Sequence, residues 1–190
     1  MNAPPDSLLA LVRALIDELE ESTLEYALGG ALAYSAWAEP RATRDIDVNV
    51  WLAPDKLEPL VTILSRLGAT TDVDDVARAS REQGMFLARC GEYRIDVFIP
   101  SVPYYDTALR NRRRVRFLGR ECWILAPESL AVFKMLFHRP KDLADLGRLL
   151  SIQGERFRTD EVRDALIAMF GEGDDHIAEW DELVKTSLTD

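Results

Sequence analysis

Cysteine and histidine are scarce in this chain of 190 residues, which contains two of each. The two cysteines, Cys90 and Cys122, cannot build a zinc site alone, and no histidine lies near them at ligand spacing. A disulfide-rich secreted scaffold and a structural zinc domain are therefore excluded. Two reduced, buried thiols are favoured over a single disulfide.

Long uncharged segments are also missing. In the first half of the chain the longest one covers residues 26–38, whereas a membrane-spanning helix needs about 20 apolar residues. The N-terminus has no basic segment, and acidic residues interrupt its apolar positions early, unlike a signal peptide. We therefore expect a soluble cytoplasmic protein without a membrane partner.

Positive charge is in deficit, because 33 acidic residues face 23 basic ones and the net charge is −10. Such a balance argues against a nucleic-acid binder, which usually carries a basic face. The deficit is uneven, since residues 155–190 hold 11 acids against 4 bases and account for −7 of the total. The C-terminal part is therefore expected to form an acidic surface of its own.

Hydrophobic periodicity predicts alternating strands and helices, and hence an α/β or α+β fold with a mixed sheet. Helices are predicted over residues 7–21, 31–38, 54–67, 127–138 and 141–150, with two more between 159 and 188. Strands are predicted over residues 23–28, 45–52 and 121–125, with a hairpin over 84–99. Residues 70–83 indicate a loop or marginal helix. We expect one compact unit, with a core over 1–125 and a helical region over 126–190.

Asp45 and Asp47 lie two residues apart in DIDVNV, the segment with the clearest strand alternation. Side chains alternate between the faces of a strand, so both carboxylates point to one face, about 6–7 Å apart at Cα. Two acids this close repel each other unless a cation binds them, and oxygen ligands favour Mg²⁺ or Mn²⁺. Because Asp-x-Asp also occurs on ordinary exposed strands, a purely structural role stays open for this pair.

Asp96 is a third acid on a strand, in the apolar segment RIDVFIP. The apolar residues on either side of it define the buried face, so its carboxylate points the opposite way, like the first pair. If the two strands are neighbours, the three acids form the kind of cluster that two-metal phosphoryl transfer requires. The alternative for Asp96 is an ion pair with Arg94 or with an arginine of residues 110–116.

Gly29-Gly30 follows a predicted strand and precedes a predicted helix. Glycines there let the backbone approach a ligand, and the first amides of the helix can bind phosphate. Arg41 and Thr43 lie in the loop before the aspartates, where Arg can pair with phosphate and Thr can order the loop or contact a phosphate oxygen. An ordinary strand-to-helix turn is the simpler explanation of the glycines taken alone.

Six arginines are concentrated in residues 110–120, and two tyrosines lie just before them. One interpretation is a solvated strand that balances the acidic C-terminal helices. The other is an electrostatic guide for a polyanion, either an NTP or an RNA acceptor.

The segment LGGALAYSAWAEPRATRDIDVNV resembles the signature of the nucleotidyltransferase superfamily, the fold of DNA polymerase β. It is most similar to a small bacterial branch, the AbiEii-type abortive-infection toxins and related nucleotidyltransferase-like proteins. That branch combines Gly-Gly, Arg-x-Thr-x-Asp-hydrophobic-Asp and a later strand acid with a helical lysine and an Arg-x-Lys-Asp-like segment. The matching positions lie between residues 24 and 150. Polymerase-type members have Gly-Ser where this chain has Gly29-Gly30.

The resemblance implies a sheet that carries the acids, with helices on one side, and nucleotidyl transfer from an NTP to an RNA, protein or small-molecule acceptor. It also implies that Asp45, Asp47 and Asp96 are catalytic and bind two Mg²⁺ or Mn²⁺ ions. The implied nucleotide-binding residues are Gly29, Gly30, Arg41, Thr43, Lys134, Arg139, Lys141 and Asp142. A toxin–antitoxin role follows from the branch.

Two alternatives to an active transferase stay open. One is a module of the same fold that binds nucleotide or a partner without turnover. The other is the partner protein of a toxin–antitoxin pair, whose acidic C-terminal helices dock a basic protein. The helical candidates have structural explanations too: Lys134 can extend along apolar neighbours, and residues 139–142 can form local ion pairs.

Overall fold

The computed structural model describes residues 7–40, 42–71 and 73–188, and its strands form one six-stranded mixed sheet. The strands are β1 (Tyr26–Leu28), β2 (Asp45–Val50), β3 (Met85–Cys90), β4 (Tyr93–Phe98), β5 (Arg113–Phe117) and β6 (Arg120–Ile124). Their order across the sheet is β3-β4-β2-β1-β6-β5. β2 runs parallel to β4 and antiparallel to β1, while β1 runs parallel to β6. The predicted mixed sheet is confirmed.

Helices occupy much of the rest of the described chain. They are α1 (Leu8–Glu21), α2 (Gly30–Trp37), α3 (Glu58–Arg66), α4 (Val73–Gln83), α5 (Tyr104–Asn111), α6 (Pro127–Phe137), α7 (Pro140–Gln153), α8 (Thr159–Phe170) and α9 (Asp175–Leu188). A short 3₁₀ turn, Gly154–Arg156, follows α7. Across residues 7–40, 42–71 and 73–188, no helix is both long enough and apolar enough to cross a bilayer.

The sheet separates two hydrophobic clusters, because its strands bury alternate residues on opposite faces. On one face, Ile46, Val48 and Val50 of β2 pack with the apolar sides of α1, α3 and α4. On the other, Ala27 and residues from α2, α5, α6, α7, α8 and α9 form the second cluster. Helices therefore cover both faces, whereas the sequence interpretation placed them on one.

Three helices differ from the sequence predictions. α3 begins at Glu58 rather than at residue 54, with a proline in its first turn. α4 is a regular helix where a loop or marginal helix was expected, because Val76 and Ala79 are buried in the first cluster. α5 was not predicted as a helix and is fixed by burial of Tyr105 and Ala108.

The C-terminal helices pack onto the sheet-bound helices rather than standing apart. Val162 and Leu166 of α8 and Ile177 and Trp180 of α9 are buried in the second cluster, with α2, α5, α6 and α7. The break between α8 and α9 covers residues 171–174 and includes the glycines that predicted it. The C-terminal region thus shares its core with two helices from the first 125 residues.

Candidate active site

Asp47 and Asp96 face each other across two neighbouring parallel strands. In the register of β2 and β4, Asp45 pairs with Arg94 and Asp47 pairs with Asp96. The intervening residues point into the first hydrophobic cluster, so the acids lie on the opposite face. The structure therefore brings together the acids that the strand pattern placed on matching faces.

The carboxyl group of Asp47 is strongly influenced by its surroundings. Burial, followed by the negative charges of Asp96 and Asp45, raises its pKa to about 6. The positive charges of Arg139 and Lys134 lower this pKa, but by less than burial raises it. A carboxylate in this position is costly without a cation beside it, which is the electrostatic condition expected of a metal-binding acid.

Arg94 lies among the three acids. Its Nη2 donates a hydrogen bond of 2.5 Å to Oδ2 of Asp96, and its Nε lies 3.6 Å from Oδ1 of Asp45. The hydrogen bond to Asp96 raises the pKa of Arg94 above its ordinary value, and the charges of all three acids act in the same direction. The ion pair considered as the alternative for Asp96 is therefore present.

Carboxylate oxygens are the ligands that a hard divalent cation prefers. The three carboxylates are not arranged around a single point, however. Oδ1 of Asp96 is buried and has no hydrogen-bond partner within the described chain, so it is an open oxygen donor. Among the described residues, however, no group of three His, Cys, Asp or Glu side chains is positioned to hold a metal ion. Arg94 instead engages Asp96 and approaches Asp45. Asp45, Asp47 and Asp96 would hold the ion once this guanidinium moves.

The N-terminus of α2 meets Asp47 at close range because two glycines allow it. The Gly29 amide donates a 2.8 Å hydrogen bond to the carbonyl oxygen of Asp47. Gly30 has φ of +48°, and a Cβ on it would lie 1.9 Å from Oδ2 of Asp47. The backbone conformation and the contact both require glycine there. The unpaired amides of the first helical turn therefore lie next to the acid.

Lys134 belongs to a buried ionic network between α6 and α7. Its Nζ lies 3.0 Å from Oδ1 of Asp142 and 2.7 Å from Oδ2 of Asp145, and the residue is 5% exposed. Arg139 adds a 2.6 Å hydrogen bond from its Nε to Asp142. Burial alone would raise the pKa of Asp142, but these hydrogen bonds hold it below its ordinary value. Lys134 is therefore not the surface lysine of the alternative interpretation.

A small cavity of about 40 Å³ connects Asp47 to this network. It is lined by Gly30, Asp47, Asn49, Phe98, Tyr105, Leu125, Leu130, Phe133, Lys134, Phe137, Arg139 and Asp142. A larger cavity, of about 760 Å³, lies between α5, α6 and α8. None of the described candidate residues is among those that line it. The predicted chemistry is therefore concentrated at the small cavity, where five candidates meet.

The remaining candidates lie at or beyond the edge of this arrangement. Thr43 orders the start of β2, because its Oγ1 accepts a 3.1 Å hydrogen bond from the Asp45 amide and donates one of 3.0 Å to the Asp45 carbonyl. Lys141 is exposed on α7 and does not line the cavity. Arg41 lies outside the described residues. A nucleotide-binding role for these residues stays a prediction.

Sequence reasoning omitted three polar residues from the candidate site: Arg94, Asn49 and Asp145. Arg94 and Asn49 share the strand face of the acids, so the period of two could have identified them. Asp145 lies 11 residues from Lys134 on the next helix, and the two meet only because α6 and α7 pack together. No sequence spacing specifies that contact.

The basic segment pairs with α1 and the residues just after it, not with the C-terminal helices. Arg114 contacts Glu20 at 2.5 Å, Arg120 contacts Asp17 at 2.6 Å, and Arg112 forms an ion pair with Glu25. The expectation that these arginines balance the acidic C-terminal helices was wrong. Because β6 lies beside β1 and packs against α1, the hairpin of β5 and β6 meets the acids of the N-terminal region.

Comparison with solved structures identifies the fold. The antibiotic-resistance factor ANT(2'')-Ia superposes with a TM-score of 0.65 at 16% identity, over 85% of this chain and 92% of its own. The chain has the nucleotidyltransferase fold. A nucleotidyltransferase-like antigen from Paracoccidioides brasiliensis superposes with a TM-score of 0.55 at 18% identity, over 94% of both chains. The lincosamide antibiotic adenylyltransferase LnuA gives 0.53 at 16% identity, over 80% of this chain and 99% of its own.

At the sequence level there is no corresponding match. No family model matches the chain, and no curated protein does. The similarity to solved structures, at 16–18% identity, establishes the nucleotidyltransferase fold. The closer resemblance to AbiEii-type toxins stays a prediction.

Proposed function

We propose that this protein is a metal-dependent nucleotidyltransferase that uses an NTP as donor. The observation that carries the proposal is the register of Asp47 with Asp96, beside the glycine-bounded N-terminus of α2. Lys134 and Arg139 line the same cavity, and their positive charges act on Asp47 although both are paired with Asp142. The nucleotidyltransferase fold of the chain is consistent with this use of the acids.

In the proposed reaction, an acceptor hydroxyl oxygen forms a bond to the α-phosphorus of the NTP. The bond from that phosphorus to its bridging oxygen breaks, and pyrophosphate leaves. Asp96 is suited to take the hydroxyl proton, because its Oδ1 is buried and has no hydrogen-bond partner in the described chain. Bound Mg²⁺ or Mn²⁺ would neutralise the phosphate charge, and the helix amides and Lys134 would orient the nucleotide.

We favour a small molecule as the acceptor over RNA. ANT(2'')-Ia has been crystallised with adenylyl-2''-tobramycin, and LnuA with lincomycin. In the present chain three arginines of the basic segment are already engaged by acids of the N-terminal region, which weakens the case for a polyanion groove. The three acids of the site would also repel an RNA backbone until cations bind.

The test is nucleotide binding by a variant that keeps the fold. Asp45→Asn combined with Asp47→Asn is expected to abolish binding of a non-hydrolysable ATP analogue with Mg²⁺, measured by calorimetry, while circular dichroism stays unchanged. Asp106→Asn, which neutralises an exposed acid on α5, serves as the control and should bind like the wild type. Unchanged affinity in the double variant would exclude the proposed site.

A binding module without turnover is the second candidate, and one observation favours it. Arg94 engages Asp96, the acid proposed to accept the proton. Incubation with NTPs labelled at the α-phosphate, a panel of hydroxylated small molecules and total RNA separates the two functions. Transfer of label with release of pyrophosphate by the wild type alone supports the enzyme, whereas nucleotide binding without transfer supports the module.

A toxin–antitoxin role would add a protein partner at α8 and α9. Their acids are partly engaged within the chain, for example Asp181 with Arg163 at 3.0 Å and Glu182 with Lys185 at 3.6 Å. Co-purification of a basic protein from cells, and its loss after charge reversal on these helices, would support this role.

A further inference from the structure

The guanidinium of Arg94 takes the position of a cation among the site's carboxylates. We propose that Arg94 is a built-in counter-cation, which holds Asp96 and Asp45 in the metal-free protein and must be displaced before a divalent ion binds. The inference rests on the proposed metal-dependent function and assigns to Arg94 a positioning role, since it acts through the acids. Nothing in the pattern of matching motif residues assigns a role to this position.

The position of Arg94 indicates that its contact with Asp96 can be exchanged for a metal ion. Asp96 is 4% exposed, whereas 44% of the Arg94 side chain is exposed, so the guanidinium reaches the acid from the solvent side. Its Nη2 is 2.5 Å from Oδ2 of Asp96, and its Nε is 3.6 Å from Oδ1 of Asp45. A half-buried side chain whose Nε is buried without a hydrogen-bond partner among the described residues can move toward water without rearranging the core. Removal of a buried side chain such as Lys134 would disturb the packing of α6 and α7.

The two oxygens of Asp96 have different environments. Oδ2 is engaged by Arg94, while Oδ1 is buried without a hydrogen-bond partner in the described part of the chain. A buried carboxylate oxygen without a partner is costly and gains from any cation that reaches it. The guanidinium satisfies Oδ2 and leaves Oδ1 without a partner within the described chain. The contact therefore stabilises the metal-free site only in part.

A divalent ion and the guanidinium of Arg94 compete for the same carboxylate oxygens, because both are positively charged. The positive charge of Arg94 lies beside two of the three acids, Asp96 and Asp45. A divalent ion brings twice the charge of the guanidinium, but it must displace Arg94 from Asp96 and Asp45 to use the same oxygens. Metal binding in the absence of nucleotide should therefore be weakened by Arg94.

The experiment measures Mn²⁺ affinity by the paramagnetic resonance signal of free Mn²⁺, without nucleotide, in wild type and Arg94→Gln. Arg94→Gln is expected to bind Mn²⁺ about tenfold more tightly, equivalent to about 1.4 kcal/mol. Arg163→Gln is the matched control, because it removes a similarly exposed arginine that pairs with Asp181 on the C-terminal helices. Its Mn²⁺ affinity should equal that of the wild type.

A second measurement covers the case in which Arg94→Gln does not fold. In the wild type, titration with Mg²⁺ should shift or broaden the Nε–H resonance of Arg94 in the nuclear magnetic resonance spectrum and leave that of Arg163 unchanged. A static Arg94 resonance at saturating Mg²⁺ would overturn the inference.

The outcomes separate this inference from the proposed function. If wild type and Arg94→Gln bind Mn²⁺ with equal affinity, Arg94 does not compete, although the transferase proposal stands. If Arg94→Gln binds Mn²⁺ more weakly than wild type, the guanidinium supports the metal site, and the inference is again overturned. If neither protein binds Mn²⁺ or Mg²⁺·ATP, the proposed function and the inference fail together.

Discussion

At the scale of single residues, Asp47 is expected to make stability depend on pH. Burial raises its pKa from 3.8 to about 6, so the folded protein holds this proton more tightly than the unfolded chain does. Ionisation therefore opposes folding, and stability should fall as pH rises from about 4 through about 6. Asp47→Asn should remove this dependence.

The expected effect on unfolding is measurable. In the metal-free protein at pH 8, Asp47→Asn should raise the free energy of unfolding by about 3 kcal/mol, with little gain at pH 4. Urea denaturation at both pH values provides the measurement. Asp106→Asn, on the exposed side of α5, should show no comparable difference. An equal gain at both pH values would argue against a raised pKa at Asp47.

At the scale of elements, the contact between α2 and β2 depends on the missing side chain of Gly30. Gly30→Ala must accommodate a Cβ 1.9 Å from the Asp47 carboxylate and a φ of +48°. Gly91→Ala has a similar φ, +58°, but meets no described atom within 4 Å. The control should cost about 1–2 kcal/mol, the price of the left-handed backbone alone.

Gly30→Ala should therefore lower stability by clearly more than Gly91→Ala and should also abolish nucleotide binding, because the side chain of Asp47 has to move. Thermal unfolding and binding of an ATP analogue with Mg²⁺ measure the two effects. Equal destabilisation by the two substitutions, with nucleotide binding retained, would contradict the tight contact.

The network between α6 and α7 is expected to be structural as well as functional. Lys134→Met leaves Asp142 and Asp145 buried without their shared cation, which should cost about 3–5 kcal/mol. Lys185→Met removes an exposed lysine on α9 and should change the free energy of unfolding by less than about 1 kcal/mol. Chemical denaturation distinguishes the two variants, and a small effect of Lys134→Met would assign this lysine to ligand binding alone.

The sequence correctly predicted the placement of side chains where their alternation along a single strand determines the structure. The alternation in β2 and β4 placed Asp45, Asp47 and Asp96 on matching faces, and the neighbouring strands could be inferred from the family resemblance. Packing between elements that are distant in the sequence could not be predicted from such a local period. Asp145 meets Lys134 because α6 and α7 pack together, and α5 is helical because Tyr105 is buried against the second cluster.

At the scale of the whole molecule, the distribution of charge limits the choice of acceptor. Three arginines of the basic segment, Arg112, Arg114 and Arg120, are paired with acids of the N-terminal region at the β5–β6 hairpin. The remaining negative charge is concentrated in the last 36 residues, which carry −7 of the net −10. A polyanion would therefore meet three paired arginines at this hairpin, and the acidic C-terminal residues would repel it.

This arrangement predicts weak RNA binding that increases when the arginines are released. Replacing Asp17, Glu20 and Glu25 with their amides should strengthen binding of a labelled single-stranded RNA, measured by fluorescence anisotropy across a salt series. Each arginine that reaches a phosphate should steepen the dependence of log affinity on log salt by about 0.7. The control replaces Glu155, Glu172 and Asp175, exposed acids of the C-terminal region, and changes net charge equally. If both triple variants bind RNA alike, net charge rather than the release of these arginines governs binding.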